Sequence, residues 1–273
     1  MQIERYADAK SFLTDALAFL MENEAENALL GIALRLVGEP NHDAYFAVLR
    51  ADGQIQGVAL GSHPTRLMIT RVRSAAAISA LAQDVLAARP LLEELVGPEP
   101  SVGELALELA VRSQRNARRK VSLRTHELKR VQLPTPIASG RLRQAIDSDL
   151  PLLARWVAEF EAAIGESGDA AELARARIAS GALFVWEDGV PRSMAARARK
   201  TPNGTSVNLV YTPQALRGRG YASACVALLS QTLLDQGNSF VCLYTDIDNK
   251  TSNAIYQRLG YQPIGDAGHY LLE

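Results

Sequence analysis

"VYTPQALRGRGYASACVALL", Val210–Leu229, joins two patterns that call for different secondary structure. On its N-terminal side "SVNLVYT" (206–212) has the β-branched and aromatic residues of a strand. Pro213 has no N–H to contribute to a ladder, so the strand ends there. From Tyr221 to Leu234 the apolar residues follow helical spacing, and Gly237 lies just beyond as a stop. Arg217-Gly218-Arg219-Gly220 therefore occupies a strand-to-helix junction. At such a junction the first backbone N–H groups lack intrahelical partners, and the helix dipole makes that end partly positive. The glycines remove side chains that would hold a phosphate away from those N–H groups. The arginines add charge-assisted donors suited to phosphate oxygens. The junction fits a diphosphate; a glycine turn with two solvated arginines is the reading these four residues alone leave open.

Two nucleotide motifs are excluded here. A phosphate loop of the form GxxxxGK[ST] needs a lysine followed by Ser or Thr, which this stretch lacks. A dinucleotide fingerprint GxGxxG needs glycine at 223, where Ser223 stands.

The next stretch, "FVCLYTDIDNKTSNAIYQRLGYQPIGD" (240–266), decides between the two readings. "FVCLYTD" reads as a strand. "DNKTSNAIYQRLGY" reads as a short helix with Asn249 as its N-cap and Gly260 ending it, and "HYLLE" reads as a final strand. Taken together, the two stretches resemble the GNAT superfamily of acyl-CoA N-acyltransferases. That family carries Q/R-x-x-G-x-G/A after a strand, and this chain offers Arg217-x-x-Gly220-x-Ala222. The family's later Asn, small residue and Tyr are matched by Asn249, Ser252 and Tyr256, followed by "LGY" (259–261).

The resemblance covers roughly residues 140–273 and implies acetyl-CoA as the acyl donor. It implies that the backbone of Leu209, Val210 and Thr212 pairs with the pantetheine arm as an added strand would. The amides of Gly218, Arg219, Gly220, Tyr221 and Ala222, with the Ser223 hydroxyl and Arg217, would face the pyrophosphate. Asn249 and Ser252 would line the coenzyme, and Asn249 would also cap its helix. Tyr256 would be the general acid that protonates the departing thiolate. The acceptor would be a primary amine on a small molecule or a peptide, attacking the thioester directly. The family often carries an acid near the middle of the strand before RGRG, but this chain has Asn208 there. Glu159 and Glu161 are the alternative bases, each also readable as a helix-surface charge. With Glu166 and Asp169 they would favour a cationic amine if they line the pocket. Trp156 and Phe160 would form an apolar wall or pack in the core. Without a base, the chain would be a silent acyl-CoA-binding or sensor module.

The rest of the sequence narrows the class. The 273 residues are 48% hydrophobic and 22% charged with net charge −1, the balance of a soluble globular chain with no global pull toward nucleic acid. Cys225 and Cys242 are the only cysteines, each in an apolar context, so neither a disulfide framework nor a metal cluster is expected. His42, His63, His126 and His269 are isolated and lack ligand spacing. No run approaches the ~18 apolar residues of a membrane span, and the N-terminus lacks a signal-peptide core, so a cytosolic enzyme acting away from membranes is expected.

The expected fold is α/β with a mixed, mostly antiparallel twisted sheet flanked by helices, built twice. "FAVLRADGQIQGVAL" (46–60) and "LFVWEDGVPRSMAAR" (183–197) each place an Asp-Gly turn between two strands and each follow a helix pair. Residues 1–133 read as a degenerate GNAT-like domain, 134–140 ("PTPIASG") as a linker and 141–273 as the acetyltransferase domain. The first half has no glycines where RGRG would recur, since "ITRVRSAAAISALAQ" replaces it. Ser11 and Ser148 are expected helix caps. "SVGELALELAVRSQRNARRK" is expected to be one helix, with Arg112, Arg115 and Arg119 near one solvated face.

Overall fold

The computed structural model describes residues 1–39 and 43–273; His42 lies outside the described residues. In chain order the elements are β1 (Gln2–Tyr6), α1 (Ala9–Met21), α2 (Ala28–Arg35), β2 (Tyr45–Ala51), β3 (Gln54–His63) and β4 (Arg66–Ile69). Then come α3 (Ala75–Ala88), β5 (Glu94–Pro98), α4 (Ser101–Ser113), β6 (Ala117–Leu128), β7 (Arg141–Gln144), α5 (Leu150–Ala163) and α6 (Ala170–Ala179). The chain closes with β8 (Leu183–Asp188), β9 (Val190–Lys200), β10 (Gly204–Tyr211), α7 (Tyr221–Asp235), β11 (Phe240–Asp246), α8 (Lys250–Arg258) and β12 (Gln262–Leu272). Residues 1–125, 244–249 and 263–273 form one compact unit, and 126–243 with 250–262 form another.

In the first unit the strands lie in the order β1-β2-β3-β4-β5-β12-β6. The final strand β12 pairs antiparallel with β5, from Ala267↔Pro98 to Leu271↔Glu94. β4 and β5 run parallel, with rungs from Arg66↔Glu94 to Met68↔Val96. β2 alternates its burial between two faces, as the period of a strand demands. Phe46 and Val48 pack with Phe12, Leu13 and Leu20 of α1 and Leu29 and Leu30 of α2. Ala47 and Leu49 point the other way, to Ile78, Leu81 and Val85 of α3 and Leu105 and Leu109 of α4. The β2–β3 hairpin turns at Asp52-Gly53, with φ of 49° and 74°, the paired positive angles that make Asp-Gly a hairpin signal.

The second unit repeats this layering with the strand order β11-β10-β9-β8-β7. Leu183 and Val185 of β8 face Leu153 and Val157 of α5 and Ala174 and Ile178 of α6. Phe184 and Trp186 face the buried side of α7, Ala224, Cys225, Leu229 and Leu233. β10 and β11 run parallel and the other neighbours are antiparallel. The sheet is therefore mixed, with helices on both faces, as expected.

Several local expectations are corrected. Asp8, not Ser11, caps α1: its carboxylate accepts from the Ser11 amide at 2.8 Å. Ser148 sits inside a short 3₁₀ turn (147–149), and the Asp149 carboxylate accepts from the Ile146 amide at 2.9 Å. α4 stops at Ser113 because Gln114 turns left-handed at φ 56°, and the Arg115 amide closes back on the Ala110 carbonyl at 3.0 Å. Residues 117–120 thus start β6, so Arg119 lies on a strand, not on the helix with Arg112. Arg115 turns inward and donates to the Leu92 carbonyl at 2.6 Å, while Arg112 pairs with Glu108 at 2.7 Å. The basic face read from spacing does not form. "YQPIGD" and "HYLLE" are parts of one strand, β12. Among the described residues no helix is long and apolar enough to cross a membrane.

Candidate functional site

β10 is the element on which the site is built. Its ladder with β11 covers only Gly204↔Phe240, Thr205↔Val241 and Ser206↔Cys242. Beyond Ser206, β10 continues to Tyr211 against β9, with a register shift between Asn208 and Tyr211. Leu209 sits in that bulge at φ 49°, a left-handed angle that costs an L residue roughly 1–2 kcal/mol. A bulge bends and twists its strand, and among the described residues the stretch from Val207 to Tyr211 has no rung toward β11. The side chains are committed elsewhere: Leu209 is buried with α5 and α6, and Val210 packs toward α7.

The end of β10 is pinned. The Tyr211 carbonyl accepts from Ser193 Oγ at 2.9 Å, and the buried Thr212 Oγ1 lies 2.9 Å from Ser193 Oγ. The Thr212 carbonyl accepts from Arg217 Nε at 3.0 Å, and the Arg217 guanidinium lies 6.0 Å from the Tyr211 ring centre. Arg217 is therefore partly spent on the turn itself, while Arg219 is exposed.

Between these pins and α7 lies a row of open donors. Arg217 N donates to the Gln214 carbonyl, and Ala224 N donates to the Gly220 carbonyl at 2.9 Å. Among the described residues none of the amides of Gly218, Arg219, Gly220, Tyr221, Ala222 and Ser223 donates to a protein acceptor. Gly218 and Gly220 hold φ of 76° and 79°, the left-handed angles that favour glycine. A Cβ at 218 would meet nothing within 4 Å, so that side of the turn is open. α7 starts at Gly220 without a side-chain cap, as α2, α4 and α5 also do, whereas Asp8, Ser74 and Asp169 cap α1, α3 and α6. A cap is worth about 1 kcal/mol. Giving one up while exposing successive N–H groups at a positive helix end is the arrangement that binds anions.

The corresponding junction in the first unit is closed. The Val72 amide donates to Ser101 Oγ at 2.9 Å, and the Ala77 amide donates to Ser74 Oγ at 3.3 Å. β4 and β5 also stay close: a Cβ at Gly97 would lie 2.9 Å from the Ile69 carbonyl oxygen. There the Ser74 side chain caps the helix, and among the described residues the gap between parallel strands does not recur.

Tyr256 lies on α8, buried, with its ring 5.8 Å from Tyr261 edge-on and 6.4 Å from the ring of buried His126. Burial pushes its phenol well above the ordinary tyrosine range, and proximity to Cys225 adds to the rise. Among the described residues its hydroxyl has no hydrogen-bond partner, whereas the fully buried Tyr261 is bonded to Ser230 at 2.7 Å. Ser252 is half-buried on the same helix. Asn249 is exposed, donates its amide to the Asp246 carbonyl at 3.1 Å, and falls in the segment 244–249 that belongs to the first unit.

On the opposite face of β10, Glu159 accepts from the Tyr211 hydroxyl at 2.5 Å. Burial and this carboxylate together raise the Tyr211 phenol above its usual range. Trp156 is buried 6.3 Å from the Tyr211 ring, so it packs in the core, and Phe160 packs beside it. Glu161 lies against Gly168, and Asp169 is spent capping α6 through the Glu172 amide at 2.9 Å. Glu159 is thus held by Tyr211 and Asp169 by the start of α6, and Asn208 is exposed on β10. Sequence reading passed over Ser193, Tyr211 and Asp188, because each acts through a partner far away in the chain.

Cavities of about 530 and 520 Å³ lie against Arg5, Tyr45 and Arg89 and against Glu127, Arg130 and Gln262; the open amides line neither.

Residues 188–270 match the protein-family model described as FR47-like protein. Among solved structures, an acetyltransferase of the GNAT family from Colwellia psychrerythraea is 13% identical with a TM-score of 0.60, and 100% of this chain and 99% of that chain are covered. A GCN5-related N-acetyltransferase from Sphaerobacter thermophilus is 15% identical with a TM-score of 0.65, covering 98% and 95%. A tandem GNAT protein from the clavulanic acid biosynthesis pathway is 12% identical with a TM-score of 0.58, covering 100% and 98%. No curated protein matches the chain in sequence. The chain has the tandem GNAT fold, a fold it shares with acetyltransferases along its whole length.

Proposed function

We propose that the protein is an N-acetyltransferase that moves the acetyl group of acetyl-CoA to a primary amine of a small molecule or a peptide. The observation that carries this reading is the row of unpartnered amides from Gly218 to Ser223 at the uncapped start of α7. Diphosphate oxygens would accept from these amides, with Arg219 adding charge. The unpaired edge of β10 at Leu209 and Val210 would take the amide-bearing pantetheine arm as an added strand, which aims the thioester along the sheet. Ser252 would line the same coenzyme.

In the reaction a neutral amine attacks the thioester carbonyl, and a tetrahedral intermediate forms and collapses with loss of the thiolate. Tyr256 donates its proton to that sulfur, and the proton lost by the attacking nitrogen restores the phenol. Its burial keeps the phenol protonated, and a thiolate brought into the same dry surroundings gains proton affinity for the same reason. In this reading residues 1–133 are a degenerate copy, 134–140 a connecting segment and 141–273 the copy that carries the chemistry. Absence of an acid at Asn208 favours a second reading, an acyl-CoA-binding module without turnover.

Thermal unfolding with acetyl-CoA, coenzyme A and ATP in parallel tests the donor. A ligand bound only by the folded state at 100 times its Kd stabilises by about 2.7 kcal/mol. A raised midpoint with both coenzyme species and none with ATP is expected; no shift with any of them overturns the proposal. Release of free thiol on addition of amines then separates the transferase from the silent module.

A further inference from the structure

The segment expected to be a slack linker is fastened beside the open amides. Trp186 Nε1 donates to the Ser139 carbonyl at 2.8 Å, and Ser139 Oγ donates to Asp188 Oδ2 at 2.8 Å. The same Asp188 oxygen accepts from the Tyr221 hydroxyl at 3.2 Å. Tyr221 is the first residue of α7, its ring is buried, and its own amide is one of the open donors. Gly140 holds φ 114° and lies so close to β8 that a Cβ there would be 2.4 Å from the Glu187 carbonyl oxygen. Ala138 then stands against the turn, 3.6 Å from where a Cβ on Gly220 would be. Residues from three separate stretches of the second unit, 138–140, 186–188 and 220–221, thus meet at one carboxylate.

Resting on the acyl-CoA reading above, we propose that Asp188 is a positioning residue for the coenzyme site. It clamps the Tyr221 side chain and the 138–140 segment together, and so fixes the direction in which the amides of the turn point. Amide donors bind an anion in proportion to how well they are held before it arrives, because ordering them afterwards costs affinity. The alternative role for this carboxylate has the opposite sign. A negative charge near an anion site repels the ligand, so if charge dominated, removing Asp188 would tighten binding.

The experiment is calorimetric titration of coenzyme A into the full chain and its Asp188→Ala, Asp188→Asn and Tyr221→Phe variants, with KM and kcat measured alongside. Positioning predicts that Asp188→Ala, which removes the Ser139 and Tyr221 hydrogen bonds together, weakens binding about tenfold and raises KM while leaving kcat within about twofold. Asp188→Asn retains an acceptor oxygen and restores most of the affinity. Tyr221→Phe loses the same interaction, so its effect combined with Asp188→Ala is less than additive. Should Asp188→Ala fail to fold, Asp188→Asn and Tyr221→Phe carry the test, with Tyr221→Phe the weaker binder. Wild-type-like or tighter binding by both Asp188→Ala and Tyr221→Phe overturns this inference alone. Absence of coenzyme A binding by the wild-type chain overturns the acyl-CoA reading and this inference with it.

Discussion

Replacing Gly220 by Asp and, in parallel, by Asn separates the electrostatics of the turn from its backbone strain. The two side chains are nearly isosteric, and both enter at φ 79°, a left-handed angle that Asn and Asp tolerate better than other residues. The nearest atom to the new Cβ is the Ala138 methyl at 3.6 Å, an ordinary contact, so neither variant is expelled by sterics. The strain of roughly 1 kcal/mol costs a few degrees of thermal midpoint in both. Only Asp adds charge. A carboxylate about 5 Å from one phosphate charge, at an effective dielectric of about 20, is disfavoured by about 3 kcal/mol. At 1.4 kcal/mol per decade this is about a hundredfold in Kd. Calorimetry with coenzyme A should therefore find the Asp variant about a hundredfold weaker than the Asn variant at low salt. The gap should narrow near 1 M salt, where the Debye length falls to about 3 Å. Equal affinities for the two variants would refute the reasoning and leave RGRG a turn.

Three further outcomes are expected. Tyr256→Phe should lower kcat by at least about a hundredfold, the range of general acid catalysis. Coenzyme affinity should stay within about twofold, because the hydroxyl makes no hydrogen bond to the described protein; an equal fall in both would make this a packing tyrosine. Burial pushes the Cys225 thiol up from its ordinary 9 to about 12. A Cys242→Ser chain, whose sole thiol is Cys225, should then resist alkylation at pH 8 until unfolded, and prompt reaction in the native state would contradict the packing. The sign for stability follows from the same shift. The unfolded chain loses this proton first, so stability is intact below pH 9 and falls by up to about 1.4 kcal/mol per pH unit between 9 and 12.

Local rules read from sequence fail where a distant residue supplies the missing partner. Ser11 has the composition of a cap, but Asp8 lies nearer the orphan amides and takes them. Helix spacing continues through Arg119, yet Asn116 exchanges backbone hydrogen bonds with Glu273 at 2.7 and 2.9 Å, and strand pairing there replaces the helix. The acidic residues at 159, 161 and 169 look like one cluster along the chain. In three dimensions the Tyr211 hydroxyl takes Glu159 and the start of α6 takes Asp169. In each case the sequence pattern describes a segment's own preference, and tertiary context outweighs a preference worth tenths of a kcal/mol per residue.

By itself the sequence determined the alternation of strands and helices, the Asp-Gly hairpin of the first half, and the strand-turn-helix junction at RGRG, because these depend on side-chain periodicity and on backbone angles that glycine and proline control locally. It also determined that the first half lacks a matching junction, since no glycine stands there. Only the tertiary structure decided which amides remain open, because a backbone N–H is free or taken according to what folds against it. The Val72 amide is consumed by Ser101, 29 residues away, while the turn at Gly218–Ser223 meets no such partner. Tertiary structure alone also ended the β10–β11 ladder at Ser206 and brought Ser139, Asp188 and Tyr221 to one point. Contacts of that range follow from how layers pack across a sheet, which no local pattern along the chain encodes.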